Sequence, residues 1–152
     1  MFARSTLIVG TFLLLLPSVA TRAQDPTKEQ RLAENAWEIM RGAEVIDLFY
    51  LDPTGPKVFV GEWNYRCQFT SKGEITRKQV IEALQEGVKK AGKERKGKFE
   101  PQFGVRATSG GTTVEMVIDF DLGEIRLFVG KEKYVLRTSD SPKSFLAKLF
   151  VI

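Results

Sequence analysis

Four carboxylates, Glu115, Asp119, Asp121 and Glu124, fall within ten consecutive residues. Two acids about 5 to 10 Å apart across a cleft can share acid and base roles in hydrolysis, and Ca²⁺ asks for six or more oxygens. On a strand, Glu115 and Asp119 share one face, and such acids ordinarily meet solvent. Ser139 and Lys143, like Ser144 and Lys148, stand four apart, whereas an S-x-x-K nucleophile needs three. No residue is assigned a catalytic role.

The chain has no histidine and one cysteine. That excludes a Ser-His-Asp or Cys-His nucleophile, an imidazole metal site, an internal disulfide and a thiolate zinc site. No metal and no cofactor is expected. The run from Gly87 to Lys93 matches G-x-x-x-x-G-K, but Glu94 replaces the hydroxyl that would hold Mg²⁺. The match also closes a helix, so its carbonyl end would repel phosphate.

The strongest local charge anomaly spans residues 89–98 (KKAGKERKGK), with six cations and one acid. Lys89, Lys90, Lys93, Arg95, Lys96 and Lys98 are therefore the candidate binding residues. Two glycines in the run describe a loop, and the lysines nearest the helix also complement its dipole. The chemistry suits an anionic envelope component or an acidic protein.

The elements around these residues read clearly. Thr27 and Gln30 have capping-box spacing, Gly42 is a stop, and Leu32, Ala36, Trp37, Met40 and Ala43 share one helical face. Residues 45–51 form an apolar strand ended by a Pro/Gly turn. Residues 58–69 alternate, placing Phe59, Trp63, Tyr65, Cys67 and Phe69 on a single core-facing side, with Gly61 as a bend or bulge. Cys67 on that side reads as buried and inert. A second helix is signposted by Thr76 with Gln79, by an Ile75–Val80 staple, and by Gly92 at its end. Strands follow at 99–107, 112–120, 125–129 and 134–137, joined by short Gly-containing links. Ser141-Pro142 opens a last short helix. The expected fold is α+β: an antiparallel sheet of about four C-terminal and two N-terminal strands, with helices packed on one face.

Residues 1–23 read as an export signal: Arg4, an apolar stretch at 7–16, Pro17, and small-x-Ala sites ending at Ala20 and Ala23. The apolar stretch is about half the roughly 20 residues a membrane-spanning helix needs. No transmembrane anchor is therefore expected after cleavage. Removal of Arg4 and Arg22 lowers the formal charge from +4 to +2, too little for general attraction to nucleic acid. Residues 24–152 are expected to form one domain. At 43% apolar content and 16 aromatic residues, the chain is globular.

From Gly97 the sequence GKFEPQFGVRATSGGTTVEMVIDFDLGEIRLF resembles a family of small exported, largely uncharacterised bacterial proteins. Their pattern is approximately C-F-N-P-R-H-G-I-R, a Gly-containing link, then V-D-L-V-I-C-F-E-C. Phe99, Pro101, Gly104, Val105, Arg106, Gly111, Val114, Val117, Ile118 and Phe120 carry the likeness. The resemblance implies an exported protein. Pattern cysteines fall on Lys98, Asp119 and Leu122, and the Arg-His pair on Gln102 and Phe103, so thiol or imidazole chemistry cannot operate here. Replacement of a cysteine pair by charges predicts an ion pair between Lys98 and Asp119 or Asp121. The expected function is a non-catalytic, periplasmic or extracellular binding domain. The alternative is a small carboxylate-dependent hydrolase or lyase using Glu115, Asp119 or Asp121.

Overall fold

A computed structural model describes residues 27–60 and 62–150. The export-signal reading and the role given to Gly61 lie outside the described residues. Helix α1 (Lys28–Gly42) begins at Thr27, whose hydroxyl accepts from the Gln30 amide while the Gln30 side chain accepts from the Thr27 amide. This is the capping box the spacing predicts. Ala36, Trp37 and Met40 bury its apolar stripe.

Strand β1 (Ile46–Leu51) comes next, then the two-residue β2 (Lys57–Val58) and β3 (Asn64–Ser71). The alternating run at 58–69 is thus not one strand. Its first residues belong to a hairpin, closed where the Phe59 amide donates to the Trp63 carbonyl at 2.7 Å. Its parity also breaks: Tyr50 pairs with Cys67 but Leu51 with Tyr65, so Arg66 is an extra residue in the ladder. A bulge of this kind sends the side chains beyond it to the opposite face. Phe69 packs with the helices, whereas Tyr65 and Trp63 pack on the other side of the sheet. Cys67, beyond the helical cover, is exposed, which overturns its reading as a buried residue.

Helix α2 (Glu74–Lys89) starts two residues before Thr76, with Gly73 as N-cap and no side-chain cap. The Arg77 amide bonds the Gly73 carbonyl, and its guanidinium donates to the Lys72 carbonyl. Ile75 is 76% exposed, so no staple forms. The helix stops before Gly92, with Lys90 as C-cap.

Strands β4 (Phe103–Ser109), β5 (Thr112–Asp119), β6 (Glu124–Val129) and β7 (Glu132–Arg137) follow, then α3 (Lys143–Lys148). Gly110 and Gly111 turn the first of these hairpins with φ of 57° and 78°, which only glycine adopts readily. Pro101 cannot donate to a ladder, so β4 begins at Phe103 rather than at Phe99. All pairings are antiparallel, in the order β2-β3-β1-β4-β5-β6-β7. The fold is α+β, as expected, with one strand more than the sequence indicated.

Alternation divides the sheet between two cores. Ile46, Leu48, Phe103, Val105, Met116, Ile118, Ile125 and Leu127 face the helices. The opposite face carries a smaller cluster of Phe49, Leu51, Phe59, Phe99, Val117 and Leu122, with Trp63, Tyr65 and Phe128 against it. Gly104 makes room for this second cluster, since a Cβ there would lie 2.7 Å from the Phe59 ring.

Candidate functional site

The basic run leaves the C-terminal end of α2, where Lys89 and Lys90 meet the negative end of the helix dipole. It is exposed, yet it is tied down. Glu94 pairs with Arg137 of β7 at 3.1 Å. Arg95 donates to the carbonyls of Asp121 at 3.0 Å and Phe120 at 3.4 Å, just past β5. Phe99 is buried in the second cluster, under the Arg126 guanidinium at 3.7 Å. Of the six candidate cations, Lys90 pairs with Glu86 at 3.1 Å and Lys98 with Glu100 at 3.2 Å. Lys89, Lys93 and Lys96 have no ion pair or hydrogen bond among the described residues. The segment is a strap displaying three free ammonium groups.

The ion pair expected between Lys98 and Asp119 or Asp121 does not form. Residues 98–102 run irregularly through Pro101, which takes Lys98 out of cross-strand register. Asp119 is instead buried and accepts the Glu100 and Leu122 amides at 2.7 and 2.8 Å. Asp121 takes Lys143 at 2.7 Å.

The remaining acids of the carboxylate run are also occupied. Glu115 is gripped by Arg106 at 2.6 and 2.7 Å, and Glu124 by Arg126 at 2.9 Å. Glu115 and Asp119 do share a face, but four residues of strand separate their Cα atoms by about 13 Å. Bound to cations and amides, these groups read as structural.

Elsewhere, Asp52 is held below the usual carboxylate range, first by the Thr54 hydroxyl and amide and then by Arg66 at 2.8 Å. Glu29 is held below the usual carboxylate range by its own backbone amide and then by the Thr27 hydroxyl. Tyr134 is pushed up to about 12, chiefly because its hydroxyl donates to Glu132 at 2.6 Å.

Sequence reasoning missed a cleft of about 490 Å³ between the turn after β1, the β2–β3 connection and residues 98–102. Leu51, Pro53, Trp63, Phe99 and Pro101 give it apolar walls. The Arg66 bulge that turns Tyr65 toward this side leaves no mark in residue types, so nothing in the sequence announced the cleft. Among the described residues, no group of three or more His, Cys, Asp or Glu could hold a metal ion. No helix among them is long and apolar enough to cross a membrane. Comparison with protein-family models, with curated proteins and with solved structures finds no match to this chain.

Proposed function

We propose that the protein is an exported, non-catalytic binding domain whose cationic strap engages an anionic component of the bacterial cell envelope. One observation carries the reading: among the described residues, Lys89, Lys93 and Lys96 have no ion-pair or hydrogen-bond partner, on a segment fastened through Glu94, Arg95 and Phe99. A fastened backbone has less freedom to lose when a ligand arrives. Exposed, unpaired charges keep their reach into solvent over about a Debye length, roughly 8 to 10 Å. Export rests on the leader-like residues 1–23 and on the likeness of residues 97–128 to exported bacterial proteins. The occupied state of Glu115, Asp121 and Glu124 weighs against carboxylate catalysis.

The test replaces Lys89, Lys93 and Lys96 together by glutamine and compares retention on phosphatidylglycerol vesicles at low salt. Each lysine near an anionic surface contributes about 1 kcal/mol, so binding should fall on the order of a hundredfold. Unchanged retention would overturn the proposal. Retention on immobilised polyglutamate but not on vesicles would move the ligand to an acidic protein. Cell fractionation tests export: the protein should leave the cytoplasm with a new N-terminus just after Ala20 or Ala23.

A further inference from the structure

The cluster opposite the helices is unusual in how its rings are covered. Arg106 lies over Phe49 and Phe59, at 5.3 and 5.0 Å from the ring centroids. Arg126 lies over Phe99 at 3.7 Å, Lys57 over Tyr65 at 5.8 Å, and Lys133 over Phe128 at 5.6 Å. Every aromatic ring of the cluster except Trp63 thus carries a cation of this chain. Indole is the strongest cation acceptor of the aromatic side chains, yet among the described residues no cation covers it. Trp63 is half-buried, held edge-on against Phe99 with centroids 5.7 Å apart at 71°, and it forms a wall of the 490 Å³ cleft.

The charges at the rim point the same way. Asp52, Glu62 and Glu100 line the cleft against a single cation, Lys98. Arg66 offsets Asp52 and Lys98 offsets Glu100. Glu62, the residue before Trp63, has no ion pair or hydrogen bond among the described residues. Asn64 donates weakly to the Pro53 carbonyl at 3.4 Å, and its side-chain oxygen has no donor among the described residues. An uncovered indole therefore stands beside an uncompensated carboxylate, in a cleft of small-molecule size. Inorganic cations are poor candidates, since they hold water strongly and, among the described residues, no three acids are grouped so as to hold one. A weakly hydrated organic cation loses little by leaving water, and its alkyl shell fits the walls formed by Leu51, Pro53 and Pro101.

We infer that this cleft binds a small organic cation of the alkylammonium or guanidinium class, with its charge on the Trp63 face and against Glu62. The cleft adjoins the cationic strap at Lys98 and Phe99, but it does not involve Lys89, Lys93 or Lys96 and does not depend on the function proposed for them.

Choline and methylguanidinium are the probes, and 3,3-dimethyl-1-butanol is the uncharged isostere of choline. Titration calorimetry gives the affinities, and the indole N–H resonance of Trp63 reports where binding occurs. At least one cation should saturate the site and shift that resonance, with the alcohol at least tenfold weaker. Trp63→Leu should weaken cation binding about tenfold and Glu62→Gln about threefold, the range expected for a partly desolvated cation–π contact. Equal binding of the alcohol, saturation by neither cation, or an unchanged affinity in the folded Trp63→Leu variant would overturn the inference. Should Trp63→Leu fail to fold, the comparison of choline with its isostere on the unaltered protein decides the matter.

Discussion

Gly104→Ala tests how tightly the second cluster is built. Gly104 lies on the face opposite the helices, between its cross-strand partners Phe49 and Val117. Its φ is outside the left-handed region, so alanine brings no backbone strain. The added Cβ would stand 2.7 Å from Cε1 and 3.0 Å from Cδ1 of Phe59. Carbon atoms pack at about 3.5 to 4.0 Å, so the ring must retreat by about 1 Å. It has little room to do so. Phe49 meets it at 4.3 Å between centroids, and Arg106, itself fixed by Glu115, covers it and donates to the Phe59 carbonyl at 3.3 Å. Overpacking of this kind costs about 1 to 3 kcal/mol. Reduced freedom of the unfolded chain returns about 0.4 to 1 kcal/mol. The net expectation is a loss of about 1 to 2 kcal/mol, read as a lower urea midpoint at constant slope. In a Phe59→Ala background, itself costing about 3 to 5 kcal/mol, the obstruction is gone and Gly104→Ala should become neutral or mildly stabilising. A double-mutant cycle would then give a coupling of about 1 kcal/mol or more. Equal effects of Gly104→Ala in the two backgrounds would refute the reasoning.

Tyr134 should ionise near pH 12 in a titration of phenolate absorbance, and Glu132→Gln should bring it back toward 10. Because the folded state raises this pKa, its contribution to stability is complete below about pH 10 and disappears as pH rises toward 12. Cys67 should react with a water-soluble thiol reagent in the native protein, giving one equivalent without denaturant; protection until unfolding would contradict its exposure. Thr27→Ala should cost about 1 kcal/mol in urea denaturation by removing the cap of α1, and Thr27→Ser should retain most of it.

Local signals survived translation into structure where one residue type has one use. Thr27 and Gln30 did form their box, and the glycine-containing links did become hairpins. The failures share a cause. Thr76 offers the same spacing as Thr27, but the chain leaves β3 already turned for a helix at Gly73, and tertiary context decided the start. Perfect alternation at 58–69 conceals both a reversal and a bulge, because alternation describes side-chain types and says nothing of inserted backbone. Alternation therefore assigns Cys67, Tyr65 and Trp63 one face, whereas the bulge leaves Cys67 exposed and puts Tyr65 and Trp63 against the second cluster. The cationic strap was legible as charge, but not its fastening, which relies on carbonyls of residues 120 and 121 reached only in three dimensions. The cleft at Trp63 combines residues near 52, 63 and 100, so no window of sequence contains it.

Forty residues separate Phe59 from Phe99, and Val117 and Leu122 lie further on. Joining such distant pieces requires long loops to close before any contact rewards them. The layer that covers the far side of the sheet should accordingly act as a clasp, late to fasten and early to release. It should open before the ladder of β4 with β5 beneath the helices does. Amide hydrogens at Phe59 and Trp63 should then exchange with solvent well ahead of those at Val105 and Met116.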